Sequence, residues 1–553
     1  MSSIVQLQYN KGDIVSKICE WSFGTNWPIV YIFYNKTNAY VGETLDAVRR
    51  TEQHMQEASF DEYTDICLIS NKTFNKSVIL DLESFLIKYM SAEGSRKLAN
   101  GNAGVLDHAY FYKEAYEDDF REIWQALVSR GIVQKSLNDI ENSELFKYSP
   151  YKSLNSEQQK ATYDILHRIC EMNNASAQSL VEVIGGAGTG KTILAVYLVK
   201  LLTDINHNKE VWKAIDDAEQ AESIKRLSAK ISSVNKIGFV VPMRKLRETM
   251  KFIFKSVDGL SKDMVLAPEE VVKDYYDLLV VDEAHRLYQR KSLPGAAIFD
   301  KFDKINRELM AEKFTKSEKD YTELDWIIRS SRMQVLFYDN RQSIRKPDID
   351  KKRFEEICKP HLFRYYELFS QMRCKGGNGY YEYVKEVLET TNFPVNKIRH
   401  IDNYEIGVAD SSEKLFEIIK EDNEQSGLSR VVCGPGWKIE ENIKIGEFKY
   451  KWVGEKDDAD KLYSIHKIQG FDLNYSGVIF GKEVYYDKEK RRIEVDKSQI
   501  GDPFVKDQDY ETMREYVLNI YLTLMTRGIK GTFVYAVDNN LREYLKLFFG
   551  EYC

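Results

Sequence analysis

Eight residues, Gly185-Gly186-Ala187-Gly188-Thr189-Gly190-Lys191-Thr192, have the spacing G-x-x-x-x-G-K-[ST], with the apolar run Val181-Glu182-Val183-Ile184 before them and the helix-like run Ile193 to Leu202 after them. A glycine-rich turn between a strand and a helix can cradle phosphate, because the backbone curls until successive N–H groups converge on phosphate oxygens and the helix N-terminus adds a favourable dipole. Gly185, Gly188 and Gly190 permit the curl, Lys191 would neutralise the β- and γ-phosphates of ATP, and Thr192 would offer its hydroxyl to Mg2+. Further along, Leu278-Leu279-Val280-Val281 ends in Asp282-Glu283-Ala284-His285. Carboxylates at the carboxyl end of a buried strand lie where doubly wound sheets keep their ligands. Asp282 suits a magnesium partner, directly or through water, and Glu283 suits the base that orients an attacking water. His285 either couples this site to nucleic acid or caps and packs locally.

A second set of residues lies near the N-terminus. Ile29 to Tyr34 and Ala39 to Gly42 read as two strands joined by the polar turn Asn35-Lys36-Thr37-Asn38. Thr44 is the expected N-cap of the next helix, on which Arg50 and His54, four apart, share one face. Another helix carries Ile79, Leu82, Leu86 and Tyr89 as its buried stripe, with Glu83 at the margin, where a carboxylate can face a cleft. Phosphodiester cleavage needs an activated water, a cation for developing charge and a metal to stabilise the leaving oxygen, and this combination of side chains is chemically coherent with that need. The plain alternative is ordinary strand aromatics that only pack.

These residues need scaffolds that position them. A chain of 553 residues exceeds what one core organises, so two to four domains are expected. Four segments emerge: a small N-terminal domain at 1–112, a helical connector rich in Glu and Asp at 113–150, and two lobes at 151–345 and 346–553. In the first lobe the runs VEVI, IGFVV, DLLVV and MQVLFY alternate with helical stretches, and in the second SRVVCG, SGVIFG and GTFVYAV do the same, the signature of parallel sheets wrapped by helices. The charged stretches 205–235 and 484–510 read as solvated helices, hairpins or insertions. Hydrophobic residues at 43% and charged residues at 30% exclude wholesale disorder. The absence of a bilayer-length apolar run, and an N-terminus without a secretory layout, predict a cytoplasmic protein with no membrane partner. Seven scattered cysteines without a C-x-x-C pair predict reduced thiols rather than a zinc site. A net charge of -7 argues against an overall basic surface and leaves room for a basic groove.

From Leu154 to about residue 535 the motifs follow one another as in superfamily 1 helicases, which this region resembles. Leu154-Asn155-Ser156-Glu157-Gln158 resembles the adenine-reading segment, with Gln158 as the base contact, and Val241-Pro242-Met243-Arg244 sits where the family touches a nucleic-acid backbone. Asp339-Asn340-Arg341-Gln342 looks like the third motif, whose Gln342 would sense the γ-phosphate. Leu368-Phe369-Ser370-Gln371-Met372-Arg373 looks like the fourth, His466-Lys467-Ile468-Gln469-Gly470-Phe471-Asp472 the fifth, contributing Gln469 and Gly470, and Leu524-Met525-Thr526-Arg527 the sixth. The resemblance makes Arg373 and Arg527 the arginine fingers, and D-E-A-H, Q-M-R and H-K-I-Q-G-F-D place it nearest the compact Schlafen-type helicase-like group. No room is left for the large inserted subdomains of processive repair helicases, so ATP hydrolysis is expected ahead of vigorous unwinding.

The N-terminal segment resembles the GIY-YIG nuclease family, with Val30-Tyr31-Ile32 as the first triplet, lacking its glycine, and Tyr40-Val41-Gly42 as the second. The resemblance implies that Glu83 holds one divalent metal, Mg2+ or Mn2+, that Tyr31 helps activate the water, that Arg50 stabilises the pentavalent phosphate, and that Tyr40 and His54 complete the proton network. Asn100 or Asn102 would be the trailing asparagine. The expected fold is therefore multi-domain α/β: a small α+β GIY-YIG domain followed by two RecA-like parallel-sheet lobes. The expected function is an ATP-dependent or ATP-regulated nuclease acting on nucleic acid, DNA ahead of RNA. By analogy of architecture it belongs to prokaryotic antiviral defence or DNA processing, with a defence-system partner protein. The alternative is a nucleotide-dependent binding switch or sensor whose N-terminal domain does not cut.

Overall fold

The computed structural model describes residues 2–100, 110, 113–148, 154, 156–173, 178–186, 188–207, 209–214, 218–291, 293, 295–310, 321–339, 347–368, 371, 373–389, 398–437, 443–445, 448–454, 458–468, 472–501, 506 and 509–552. The N-terminal sheet contains β1 (Ser3–Gln8), β2 (Ile29–Tyr34), β3 (Asn38–Thr44), β4 (Asp65–Ser70) and β5 (Lys97–Leu98), ordered β1-β4-β2-β3-β5. Its turn forms because the Asn35 carboxamide oxygen accepts from the Thr37 and Asn38 backbone N–H groups at 2.8 and 2.7 Å, a local closure that needs no tertiary help. Every residue of β2 is buried, since both faces of the sheet are covered. Val30, Ile32 and Val41 pack with Leu82 and Leu86 of the helix Lys76–Glu93, while Ile29, Tyr31 and Phe33 pack with Ala47 and Phe60 on the other face. Thr44 is not the N-cap: it ends β3 opposite Ile29, and Asp46 caps the helix Ala47–Met55 by accepting from Arg49 N–H at 2.9 Å. A ladder residue is held extended in its strand, which leaves the cap to the carboxylate two residues on.

The connector forms the helices Lys113–Ser129, Leu137–Glu141 and Glu144–Lys147. Phe120 and Trp124 face Phe85, and one continuous apolar core runs from the N-terminal sheet through the connector into the first lobe.

The first lobe is a parallel sheet of β6 (Ser179–Gly185), β7 (Ile237–Val240), β8 (Val265–Leu266), β9 (Tyr276–Val281), β10 (Ser331–Tyr338) and β11 (Leu362–Leu368), ordered β11-β6-β10-β9-β7-β8. β11 pairs with β6, so this sheet reaches Leu368, beyond the boundary at 345 expected from the sequence. The second lobe is likewise parallel: β12 (Glu405–Val408), β13 (Arg430–Cys433), β16 (Leu462–Ser464), β17 (Leu473–Phe480) and β20 (Gly528–Ala536), ordered β12-β20-β17-β13-β16. Two hairpins, β14 (Ile443–Ile445) with β15 (Phe448–Tyr450) and β18 (Val484–Asp487) with β19 (Arg492–Val495), decorate it. The expected charged stretches resolve into the helix Ala218–Ile231 and the β18–β19 hairpin. Cys67, Cys170, Cys358, Cys374 and Cys433 are buried, and Cys19 is exposed. Among the described residues no helix is long and apolar enough to cross a membrane.

Candidate functional site

At the carboxyl end of β6, Gly188 and Gly190 have φ of +84° and +78°, the left-handed region that a side chain disfavours. A Cβ on Gly188 would also lie 2.0 Å from the Gln371 carboxamide oxygen, which reaches over the turn. Lys191 opens the helix Lys191–Asn206, and its buried Nζ donates to the Gly185 and Gly186 carbonyls at 2.6 and 2.8 Å and lies 3.4 Å from Asp339 Oδ2. Gln158 is buried, and its amide donates to the Thr189 carbonyl at 3.1 Å, bracing the turn.

Asp282 follows β9 directly and is fully buried, and neither carboxylate oxygen has a hydrogen-bond partner among the described residues. Burial first and the neighbouring Glu283 second push its carboxyl well above the usual carboxylate range, with Thr192 and Lys191 pulling the other way. An orphaned carboxylate facing a threonine hydroxyl and a phosphate cradle fits a bound divalent cation, which would supply the missing charge. Glu283 is held at φ +52°, and its Oε2 lies 2.9 Å from His285 Nε2. Burial pushes the Glu283 carboxyl up, but His285, Lys191 and Arg286 outweigh it and hold the group well below the usual range. His285 Nδ1 accepts from the Asp339 backbone N–H at 3.3 Å, so the ring proton sits on Nε2, toward Glu283. His285 therefore ties the acid after β9 to the residue after β10, a local coupling.

Arg373 and Arg527 both come to this cleft. Arg373 Nε donates to Asp472 Oδ1 at 2.6 Å, and Arg527 Nη1 donates to the Ile468 carbonyl at 3.0 Å. Each feels the Glu283 charge; burial and then the Arg373 charge lower Arg527 to about 10. Gln342, Gln469 and Gly470 lie outside the described residues.

The N-terminal cluster is equally local. Tyr31 on β2 stands opposite Gly42 on β3, and a Cβ on Gly42 would lie 2.3 Å from the Tyr31 hydroxyl, so the ring lies flat across the glycine. Arg50 Nε donates to that hydroxyl at 3.2 Å, and His54 Nε2 is 2.9 Å from it. With Arg50 donating, the phenol's own proton points at His54 Nε2, which leaves the imidazole proton on Nδ1, 3.6 Å from Glu57. Burial and then Arg50 lower His54 to about 4, and its ring stacks on Phe60 at 3.8 Å. Burial first and Tyr40 second raise the Tyr31 phenol, and Tyr40 is raised by burial. Glu83 is raised to about 8 by burial and then by Glu43, while Lys76 and Arg50 pull it down. Glu43 pairs with Lys76 through one oxygen, and its other oxygen is buried without a partner among the described residues. Asn100 supports the strand, its carboxamide accepting from Val41 N–H at 3.0 Å and donating to the Val41 carbonyl at 2.7 Å; Asn102 lies outside the described residues. Among the described residues no group of three His, Cys, Asp or Glu side chains could hold a metal. Reading the residues singly gave no role to Glu43, or to Asp339 and Asp472, which lie within the third and fifth motifs. The position of Glu43 directly after Gly42 was the signal for the first; the other two depend on partners far away in the chain.

Residues 178–538, more than half of the chain, match the family model described as Schlafen group 3, DNA/RNA helicase domain. An uncharacterized protein of Saccharomyces cerevisiae is 24% identical over 414 residues, covering 65% of this chain and 82% of its own length. Two solved structures overlap it at low TM-score. The Pif1 helicase from Candida albicans has 11% identity and a TM-score of 0.26, covering 71% of this chain and 96% of that one. The Pif1 helicase from Bacteroides in complex with ADP-AlF3 and ssDNA has 12% identity and a TM-score of 0.22, covering 69% and 92%. The cradle, both acids and both arginines of the cleft fall within the matched span, and the chain belongs to the Schlafen group 3 family of DNA/RNA helicase domains.

Proposed function

We propose that the chain is a nucleic-acid-handling ATP hydrolase whose N-terminal domain, of the GIY-YIG kind, is a metal-dependent phosphodiesterase governed by the motor. For the motor, Lys191 exchanges the Gly185 and Gly186 carbonyls for phosphate oxygens, and Glu283, kept ionised beside His285, orients the water. Asp282 and Thr192 would hold magnesium, which supplies charge neutralisation on the phosphate oxygens. Arg373 and Arg527 stabilise charge on the transferring phosphoryl group once the lobes close, and Gln158 reads the base.

The nuclease reading is carried by one observation: the Tyr31 hydroxyl is held between Arg50 and His54 and pressed over Gly42. A raised phenol cannot act as a standing phenolate. It can relay, taking a proton from water as it gives its own to the neutral His54 Nε2. Arg50 then faces the phosphate, and Glu83 would hold a divalent cation that stabilises the leaving oxygen. A setting in antiviral defence or DNA processing remains part of the proposal on architecture alone.

One observation favours the second reading, a binding switch that does not cut: Glu83, at about 8, is mostly protonated at neutral pH until a cation arrives. The test incubates the protein with single- and double-stranded DNA and RNA, Mg2+ or Mn2+, with and without ATP, beside Glu83→Ala and Lys191→Ala. Cleavage abolished by Glu83→Ala and altered by Lys191→Ala supports the coupled nuclease. No cleavage in any lane, with ATP hydrolysis intact, supports the switch.

A further inference from the structure

The connector meets the two lobes by different physics. With the first lobe it shares the apolar core that also holds the N-terminal sheet, reinforced where Lys97 of β5 pairs with Asp258 at 2.6 Å and Asp258 pairs with Lys209 at 2.8 Å. The second lobe keeps its own apolar clusters, and directional hydrogen bonds join the connector to it. Asn142 Nδ2 donates to the Ser426 carbonyl at 3.0 Å, and Asn474 Nδ2 donates to Asn142 Oδ1 at 2.9 Å. The receptor is shaped for it: Gly427 sits at φ +69°, and a Cβ there would lie 2.8 Å from Asn142 Nδ2. Five residues on, Lys147 Nζ donates to the Asp472 carbonyl at 3.5 Å, and Tyr148 follows it beside Arg373 and Arg527.

Asp472 is the same residue whose carboxylate holds Arg373. Only Nε is so tied, and Arg373 Nη1 is buried without a partner among the described residues, so turning the guanidinium toward a phosphate strains this pair and disturbs the connector beside it. Packed apolar cores resist such rearrangement, whereas a handful of polar bonds can be exchanged at small cost. The other side of the connector grips the helix that carries Glu83: Tyr89 Oη donates to Glu141 at 2.7 Å, and the Tyr89 ring lies 4.9 Å from Phe146.

We infer that Asn142 to Tyr148 form a latch that holds the second lobe in the arrangement seen here, with Arg373 on Asp472, and that the latch opens when the lobes close on nucleotide. This rests on the reading of the cleft as an ATP site. Asn142→Ala removes both amide bonds to the second lobe and should raise hydrolysis in the absence of nucleic acid by about 5-fold or more. Asn142→Asp, which keeps the shape but turns an oxygen toward the Ser426 carbonyl, should do the same. A disulfide between Asn142→Cys and Ser426→Cys, in a chain also carrying Cys19→Ser and Cys553→Ser, should suppress turnover until reductant is added.

Spin labels at the exposed positions Phe252→Cys in the first lobe and Leu547→Cys in the second supply a readout independent of catalysis. Distances are measured with and without Mg2+ and a non-hydrolysable ATP analogue, and the closed population should grow in Asn142→Ala. Unchanged turnover and unchanged distances in both Asn142 variants would overturn the latch. A protein that never hydrolyses ATP, yet shifts its distances on analogue binding and shifts them further in Asn142→Ala, would instead overturn the hydrolase reading and leave the latch standing.

Discussion

Asp282→Asn should make the ligand-free protein more stable and at the same time remove most of its stabilisation by Mg2+ and nucleotide. In the folded protein Asp282 is fully buried, both carboxylate oxygens are orphaned, and Glu283 stands next to it. An unsatisfied buried polar group costs about 1–3 kcal/mol, more when charged, and asparagine of the same shape removes the charge and the repulsion. For a lobe of this size about 1 kcal/mol moves a midpoint by roughly 2–4 °C, so a gain of about 2–12 °C is expected for the first-lobe transition. The sign with pH follows from the raised carboxyl. In the unfolded chain the group is ionised above its ordinary value of 3.8, whereas in the folded protein it holds its proton to higher pH. The stability it contributes is therefore full below the ordinary value and is lost as pH rises through the raised folded value, and the advantage of Asp282→Asn should be larger at pH 8 than at pH 5. Ligand reverses the order. At roughly 100 times Kd, Mg2+ with ATP adds about 2.7 kcal/mol to the wild type, and a variant without the cation's carboxylate should gain far less. Thermal unfolding at both pH values, with and without Mg2+ and a non-hydrolysable analogue, reads all of this. A variant less stable than wild type without ligand, or one stabilised equally by it, refutes the assignment of Asp282 as a cation ligand.

Gly42→Ala would place a methyl carbon 2.3 Å from the Tyr31 hydroxyl and so drive the ring off both Arg50 and His54. Overpacking of this kind costs about 1–3 kcal/mol, and cleavage should fall at least about 100-fold while ATP hydrolysis persists; cleavage at the wild-type rate would remove Tyr31 from the chemistry. Because Glu83 holds its proton up to about 8, cation binding at the N-terminal site should strengthen as pH rises from 6 toward 8 and then level off, and Mn2+ titrations that are flat across that window would contradict it. Arg527→Ala should retain nucleotide binding yet lose most hydrolysis, since its charge acts on the transition state; unchanged turnover would remove Arg527 from the site.

The chemistry of this chain was legible wherever it is local. The phosphate cradle, the acids after an apolar strand, the Asn35 turn and the helical spacing of Arg50 and His54 are each written within about ten residues, because strand, turn and helix geometry at that range follow from backbone sterics and nearby hydrogen bonds. Both parallel sheets were visible for the same reason: strands buried on two faces read as continuous apolar runs. β11 was not visible. It lies at a sheet edge, with Leu362, Phe363 and Tyr365 exposed, so Leu-Phe-Arg-Tyr-Tyr-Glu-Leu has no buried face to leave a period. Tertiary structure alone decided which distant side chains meet. Lys191 finds Asp339 across 148 positions, Arg373 finds Asp472 across 99, and Asn142 finds Asn474 across 332. No local propensity encodes such pairs: they exist because packed cores bring loop ends together, and the connector's place beside both arginines follows from that packing rather than from any residue within it.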